Sequence, residues 1–227
     1  MKHPIRWLLG GIAVVLVAII AAGVWYVFGD SAPAKPTLSV DTPTDSGTST
    51  SPDGSWKVVR GDKVYVGYRM TEQFAGDIVH KTAVGRTPAV DGTATIAGNK
   101  VVTADITADM RELKSDRGPR DNYIHSHAIE SDTYPTAEFK LTQPIALPAG
   151  ITKGQQVKVA ATGALTLHGV TRTITVPLDA RWDGDTIEAV GTAPIVLADY
   201  KIEPPETAVV KADDHGSLEL SLTFGRA

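Results

Sequence analysis

The chain has 227 residues, a formal net charge of −4 and no cysteine. The lack of a basic excess argues against a nucleic-acid-binding protein, and without cysteine the chain can form neither a disulfide nor a lipid-modified cysteine anchor. Its length fits one β domain with appended segments better than two full domains.

The first 28 residues predict a cytoplasmic stub and a transmembrane helix. No charged residue occurs from Trp7 to Phe28, and a helix of that length spans roughly 33 Å, enough for a bilayer core. Lys2 and Arg6 precede this run, so the positive-inside rule places the N-terminus in the cytoplasm and the rest of the chain outside. The alternative is a signal peptide cleaved near Ala32-Pro33-Ala34, although the apolar run is longer than the usual core of about 7–15 residues. We therefore predict a single-pass protein of the cell membrane with an extracytoplasmic C-terminal domain.

Residues 29–55 predict a disordered linker. They are rich in Ser, Thr, Pro, Asp and Gly and hold scarcely any large apolar side chain, so they cannot bury enough surface to fold. As a flexible coil the linker would hold the following domain roughly 30 Å from the bilayer on average. We assign residues 56–227 to that folded domain.

The folded domain shows the two-residue alternation of β-strands. Apolar residues alternate from Val157 to Leu167, and after a break at Gly169 the alternation resumes from Ile174 to Trp182, which predicts two long strands joined as a hairpin. Further alternating segments, separated by turn signals, are 64–70, 78–84, 92–96, 101–110, 137–141, 187–196 and 218–224. We expect about eight to ten strands in a closed or nearly closed antiparallel barrel.

One segment, Pro119–Ile129, breaks the β pattern. Proline near its start, followed by Tyr123, Ile124 and Ala128, predicts a short helix or helical turn. The segment is either a lid over one mouth of the barrel or an ordinary surface crossover.

No group of residues in the sequence requires catalysis. His125 and His127 do not share a helix face and lack a third ligand at a supporting spacing, so a solvated pair explains them better than a metal site. His168 has no partner in the nearby sequence, and neither a nucleophile elbow nor a cysteine nucleophile is present. Surface solubility or internal ion pairs best explain five arginines that could otherwise clamp a phosphate: Arg69, Arg86, Arg117, Arg120 and Arg172. We predict a protein without a cofactor, a metal or enzymatic activity.

Several motifs of the domain resemble the YceI-like domain family. They are Gly163–Arg172, Thr133–Phe139, Arg120-Asp121 and Ala198–Pro205. Val66–Arg69 and Ala83–Thr87 resemble the membrane-tethered branch of this family in actinobacteria. The resemblance implies a lipocalin-like antiparallel barrel that binds a polyisoprenoid chain in an apolar pore. The sequence departs from the commoner family pattern at Tyr123–Ser126 and Ala128–Glu130, where contacts to the head group of a lipid are expected to differ.

A binding role of this kind is physically coherent. Each buried methylene contributes about 0.8 kcal/mol, so exposing a long isoprenoid chain to water costs tens of kcal/mol. Such a lipid needs an apolar cavity around its chain. A barrel of about eight strands can be filled by its own side chains or can hold one slender ligand. Small inward residues leave room for a ligand, although they also suit close packing of strands; they are Ala161, Gly163, Ala189, Gly191 and Ala193.

These observations favour a mainly β protein with a lipocalin-like antiparallel barrel, one short helix, an N-terminal transmembrane helix and a disordered linker. We predict that it binds an isoprenoid lipid of polyprenyl or quinone type without turnover. From face patterning, the predicted lipid-binding residues are Tyr68, Phe74, Ile106, Phe139, Leu165, Leu167 and Trp182. The alternatives are an envelope stress or interaction module with a self-filled barrel, and a lipid-modifying enzyme. The sequence leaves the identity of the lipid and the oligomeric state open.

Overall fold

The computed structural model describes residues 32–39, 50–74, 79–207 and 210–227. The predicted membrane span, Trp7–Phe28, and a large part of the predicted linker lie outside these residues. Within the described ranges, no helix has the length and hydropathy needed to cross a membrane.

The described part of the chain is mainly antiparallel β structure. Its twelve strands are β1 Gly54–Val58, β2 Tyr65–Phe74, β3 Val79–Thr87, β4 Val90–Ile96, β5 Lys100–Asp109, β6 Lys114–Ser115, β7 Thr136–Leu141, β8 Ile145–Ala146, β9 Gln156–Leu167, β10 Val170–Trp182, β11 Thr186–Val196 and β12 Val210–Arg226. One short α-helix, α1, covers Gly118–Tyr123 and continues as a π-helical turn over Ile124–Ala128. Short 3-10 turns cover Met110–Glu112 and Leu197–Tyr200.

The sheet closes into a barrel through its first and last strands. Eight strands follow one another in the order β1, β4, β5, β7, β9, β10, β11 and β12, and β12 pairs back onto β1 with Trp56 opposite Arg226. Strands β2, β3 and β6 extend the sheet from β12. The closure follows from alternation, because each strand offers one apolar face to a shared interior. The predicted antiparallel barrel with one short helix is confirmed.

The predicted hairpin is formed by β9 and β10. These strands pair along their whole length, from Leu167 opposite Val170 to Gln156 opposite Arg181. The two residues between them, His168 and Gly169, have φ angles of 49° and 69°, as a two-residue type I′ turn requires. Histidine accepts this left-handed conformation at a modest cost, so the turn keeps the register of the barrel wall.

The helical segment lies between β6 and β7, as the sequence predicts for Pro119–Ile129. The Asp121 carboxylate accepts hydrogen bonds from the backbone N–H and the hydroxyl of Ser115, at 2.8 and 2.6 Å. His125 contacts Ser131 Oγ at 2.9 Å through Nδ1 and the Leu113 carbonyl oxygen at 2.8 Å through Nε2. His125 is therefore a structural residue that ties the segment to its flanks, and the expectation that it is solvated is wrong.

Part of the predicted disordered linker is ordered. We name residues 33–39 the N-terminal strap, because they lie along the outside of the barrel. Arg69 Nη2 donates to the Pro33 carbonyl at 2.6 Å and Arg86 Nη2 donates to the Ala34 carbonyl at 2.9 Å. Both guanidinium groups are ion-paired to Glu219, which is 1 % exposed. The composition of the strap could not reveal these partners, because they belong to strands far away in the sequence.

The other end of the strap is held by a second set of polar contacts. Ser39 Oγ donates to Glu188 at 2.9 Å, and Arg181 Nη1 donates to the Ser39 carbonyl at 2.7 Å. Leu38 is 9 % exposed. This strap therefore packs on the barrel, whose first strand begins at Gly54.

Candidate functional site

The barrel encloses an apolar cavity of about 310 Å³. Its wall is contributed by strands around the ring, by β2 and β3, and by the helical segment. The lining is overwhelmingly aliphatic and aromatic, and its few polar members include Glu72, Arg120, Gln155 and Arg181. The volume lies at the small end of the range of ligand pockets, about 300–1,000 Å³. An interior with this lining suits a slender apolar ligand.

The structure places six of the seven predicted lipid-binding residues in the lining of the cavity. The cavity is lined by Tyr68, Ile106, Phe139, Leu165, Leu167 and Trp182. Phe74 is 4 % exposed but is not among the lining residues. It lies at the end of β2, beyond Glu72, and pairs with Val79 and Val210. Face patterning correctly placed Phe74 on the inward side but could not show where along the strand the cavity ends.

Four of the five small inward residues divide into two groups. Ala161 and Ala189 line the cavity. A Cβ atom on Gly163 would lie 2.4 Å from Cζ of Phe139, and one on Gly191 would lie 2.6 Å from Cδ2 of Leu178. The two glycines therefore accommodate neighbouring side chains, which is the close-packing alternative, while the two alanines leave space for a ligand.

One end of the cavity is polar. Arg120 Nε donates to Glu72 Oε1 and Arg120 Nη2 donates to Glu72 Oε2, both at 2.7 Å. Burial opposes the charge of Arg120, but the hydrogen bonds and charge of Glu72 outweigh it and raise the pKa of Arg120. This bidentate pair connects strand β2 to helix α1. The sequence offered a signal for it, because Glu72 interrupts the inward series of Tyr68 and Met70.

Tyr68 presents a hydroxyl group near the same polar end. The oxygen is buried and has no hydrogen-bond partner among the described residues. Burial raises the pKa of Tyr68 well above its usual value, so the group remains a protonated donor at neutral pH. A buried donor without a partner is costly if only the protein's own side chains fill the barrel. This hydroxyl is a candidate contact for a ligand.

The opposite end of the cavity contains two tryptophans whose N–H groups are both satisfied. Trp56 Nε1 donates to the Pro52 carbonyl at 2.9 Å, and Trp182 Nε1 donates to the Gly184 carbonyl at 2.8 Å. The Arg226 guanidinium lies 4.4 Å from the centre of the Trp56 ring. The indoles thus offer the cavity apolar surface and no free donor.

The helical segment covers part of the cavity. Ile124, Ala128 and Ile129 contribute to its lining. Glu130 follows the segment directly, and its Oε2 atom lies 3.0 Å from His168 Nε2. The other ring nitrogen, His168 Nδ1, lies 3.0 Å from the Tyr200 carbonyl oxygen. His168, which lacks partners in the nearby sequence, therefore joins the β9–β10 turn to this cover.

The other candidates for chemistry make contacts within the described part of the chain. Among the residues that the structure describes, no three His, Asp or Glu side chains come close enough to hold a metal ion. His127 stacks on Tyr123 with ring centres 5.1 Å apart and contacts Ser126 Oγ at 2.7 Å. The chemistry that the geometry supports is the binding of an apolar molecule with a polar group at one end.

Comparison with known proteins identifies the family of this barrel. The sequence profile of the YceI-like domain matches residues 64–224. The chain belongs to the YceI-like domain family. Among curated YceI-like relatives, UPF0312 protein VPA0850 of Vibrio parahaemolyticus is 34 % identical over 114 residues, which cover 47 % of this chain and 55 % of that protein. A UPF0312 protein of Vibrio campbellii is 32 % identical over the same length. The chain thus spans about half the length of the curated relatives it matches.

Solved structures share the YceI-like fold at low sequence identity. A polyisoprenoid binding domain from Saccharophagus degradans, implicated in plant cell wall breakdown, superposes with a TM-score of 0.57 and 17 % identity, covering 76 % of this chain and 98 % of that one. BcnA of Burkholderia cenocepacia superposes with a TM-score of 0.53 and 22 % identity, covering 69 % and 95 %. At these identities the likeness establishes the fold, which is compatible with a binding protein.

Proposed function

We propose that this protein binds an isoprenoid lipid of polyprenyl or quinone type in its barrel, outside the cytoplasm and tethered to the membrane by its N-terminal helix. The observation that carries the proposal is the apolar cavity, whose wall includes six residues that the sequence singled out. The polyisoprenoid binding domain of Saccharophagus degradans, with the same fold, supports the choice of lipid.

The energetics of the cavity favour an apolar chain over water. Each methylene moved from water into the barrel contributes about 0.8 kcal/mol, while water in the aliphatic part of the cavity would lack hydrogen-bond partners. The cavity also disfavours the self-filled barrel, which needs an interior packed by its own side chains. The lipid would be sequestered or carried, and no residue is assigned a catalytic role.

The proposed membrane tether is supported by the sequence. An uncharged run from Trp7 to Phe28, with lysine and arginine before it, supports a single span with the barrel on the extracytoplasmic side. The N-terminal strap would hold the barrel near the bilayer, since only residues 29–32 separate it from the end of that run. A lipid could then enter the barrel directly from the membrane.

Native mass spectrometry of the full-length protein purified from its own cell envelope tests this function. We expect a co-purifying isoprenoid in the natural protein. Ala161→Leu, which places a larger side chain in the cavity, should reduce the bound fraction by about tenfold or more. Ala160→Leu is the matched control, because Ala160 is exposed on the other face of β9. The absence of any isoprenoid above a control membrane protein would refute the proposal, as would equal loading of both variants.

A further inference from the structure

The ring of His168 lies between two hydrogen-bond acceptors. Its Nε2 atom is 3.0 Å from Glu130 Oε2, and its Nδ1 atom is 3.0 Å from the Tyr200 carbonyl oxygen. A neutral imidazole carries one N–H group, so it donates to one of these oxygens and turns a lone pair toward the other. The doubly protonated ring donates to both. Opposite an ionised Glu130, the ring therefore satisfies both contacts only when it carries two protons.

The surroundings of His168 fix the ring in this position. Its side chain is 11 % exposed, and the Tyr134 ring packs edge-on against it with ring centres 4.5 Å apart. Arg172 Nε donates to the Asp199 carbonyl at 3.2 Å, which holds the hairpin to the 3-10 turn. The charged or titratable residues on the elements packed against the ring are Glu130, Asp132 and Tyr134 after the helical segment, Asp199, Tyr200 and Lys201 at the 3-10 turn, and Arg172 in the hairpin.

The backbone at this junction has a conformation that side chains disfavour. Four non-glycine residues in the described ranges have a positive φ, and three of them lie here: Glu130 at 49°, His168 at 49° and Lys201, next to Tyr200, at 57°. Glycine adopts this left-handed conformation at a lower cost. Residues held in this way cluster at ligand clamps and switch regions. The side chains of Glu130 and His168 make a contact that glycine at either position could not make.

This contact holds one end of the helical segment over the cavity. Three residues at that end of the segment line the cavity: Ile124, Ala128 and Ile129. The start of the segment is held separately by the Arg120–Glu72 pair, and its middle by His125 on the Leu113 carbonyl oxygen. Loss of the Glu130 contact would therefore free the end of the segment while its start stays attached.

We propose that His168 and Glu130 form a proton-dependent latch on the cavity, closed at acidic pH and released as the pH rises. Histidine is the side chain whose charge changes between about pH 5 and 8. When the ring loses a proton, an acceptor faces an acceptor in one of its two contacts, which favours separation of Glu130 from the β9–β10 turn. Ile129 and Ala128 then move away with Glu130, and the cavity opens at this edge. The latch acts on the helical segment whatever the cavity holds, so it does not depend on the proposed lipid.

A single thiol under the helical segment can measure this opening. The natural chain has no cysteine, and Ala128 is 5 % exposed and lines the cavity. Full-length Ala128→Cys is treated with methyl methanethiosulfonate at about pH 5.5 and about pH 8, with and without the additional change His168→Asn. Because the two proteins are compared at the same pH, the intrinsic pH dependence of thiol reactivity cancels.

His168→Asn removes the titrating ring and keeps the turn. Asparagine tolerates a positive φ, is preferred before glycine in a type I′ turn, and still donates a hydrogen bond. At acidic pH we expect the thiol to react about tenfold or more slowly with His168 than with asparagine, since a hydrogen bond to a charged group contributes at least this factor. At about pH 8 the two rates should agree within about threefold. Glu130→Gln should raise the rate at acidic pH in the same way.

Two controls locate the effect. His127→Asn replaces an exposed histidine of the same helical segment, which stacks on Tyr123, and it should leave the reaction rate of Ala128→Cys unchanged. Ala160→Cys places the thiol on the exposed outer face of β9, where the rates with His168 and with asparagine should be equal at each pH.

Hydrogen exchange provides a second measurement should Ala128→Cys fail to fold. The Ile129 and Ser131 amides donate to the Ile124 and His125 carbonyls at 2.8 and 2.9 Å. After correction for intrinsic exchange, their protection in the natural protein should fall about tenfold from acidic pH to about pH 8, and His168→Asn should show no such fall.

Three results would overturn the latch. They are equal thiol rates with His168 and asparagine at acidic pH, a difference that persists unchanged at about pH 8, and an effect of His127→Asn as large as that of His168→Asn. The absence of a co-purifying isoprenoid would refute the proposed function and leave the latch standing, because the thiol rates are measured without a lipid.

Discussion

Glu72 and Arg120 form a bidentate ion pair with two hydrogen bonds of 2.7 Å in the wall of the cavity. Their side chains are 7 % and 9 % exposed. The pair joins β2 to the capping helix α1, two elements that are 48 residues apart in the chain. The pair therefore holds the helical segment over the cavity and forms the polar end of the cavity.

Removing one partner of this pair should destabilise the fold. Arg120→Met leaves Glu72 as an uncompensated buried charge, which we expect to lower the free energy of unfolding by about 3–5 kcal/mol in urea denaturation. The double variant Glu72→Met/Arg120→Met removes both charges and should recover a large part of this loss. Arg60→Met, whose pair with Asp91 is mostly exposed, should change stability little. Equal stability of the Arg120 variant and the natural protein would contradict the buried pair.

Tyr68→Phe should separate stability from binding. The hydroxyl is buried without a partner among the described residues, so its removal should leave the free energy of unfolding of the lipid-free protein unchanged or raise it by about 1 kcal/mol. Lipid-free samples can be checked by mass spectrometry before denaturation. A clear loss of stability would show that the hydroxyl is satisfied in the folded protein.

The pH dependence of stability provides an independent check on Tyr68. Its pKa is raised above 10.0 in the folded protein, chiefly by burial, so the folded state holds this proton more tightly than the unfolded state. The associated stability is fully present below pH 10 and is lost as the pH rises above it. Denaturation between about pH 9 and 11 should therefore show a shallower decline in Tyr68→Phe than in the natural protein. Parallel declines would place Tyr68 in a solvated environment.

Gly163→Ala should be destabilising although alanine suits strands at least as well. The new Cβ would lie 2.4 Å from Cζ of Phe139 and 2.5 Å from the Lys140 carbonyl oxygen, so a ring in the cavity wall and a backbone strand must shift. We expect a loss of about 1–3 kcal/mol in thermal or urea unfolding. Gly61→Ala is the matched control, because its Cβ meets nothing within 4 Å, and it should be neutral or slightly stabilising.

The strap should loosen when Glu219 loses its charge. Glu219 orients Arg69 and Arg86, whose remaining N–H groups bind the Pro33 and Ala34 carbonyls. Glu219→Gln should accelerate hydrogen exchange of the amides between residues 34 and 39, and it should cost about 3 kcal/mol of global stability. Glu138→Gln, from an exposed pair with Lys140, is the control. Unchanged exchange in the strap would mean that the two arginines do not hold it.

Sequence patterning was reliable where a local period decides the structure. Alternation from Val157 to Trp182 predicted the β9–β10 hairpin, because a period of two assigns each side chain to one face. The same rule put Phe74 on the inward face without showing that it lies past the end of the cavity. It also could not distinguish Ala161, which borders open space, from Gly163, which lies under the Phe139 ring.

By itself, the sequence determined the antiparallel barrel, the short helical segment and the apolar inner face, because these depend on short-range periodicity and composition. The tertiary structure alone decided that Glu72 meets Arg120, that Lys81 lies opposite Glu72 and that the strap packs on Arg69 and Arg86. These contacts depend on the register between strands and segments far apart in the chain, and a one-residue change of register would turn each side chain to the other face.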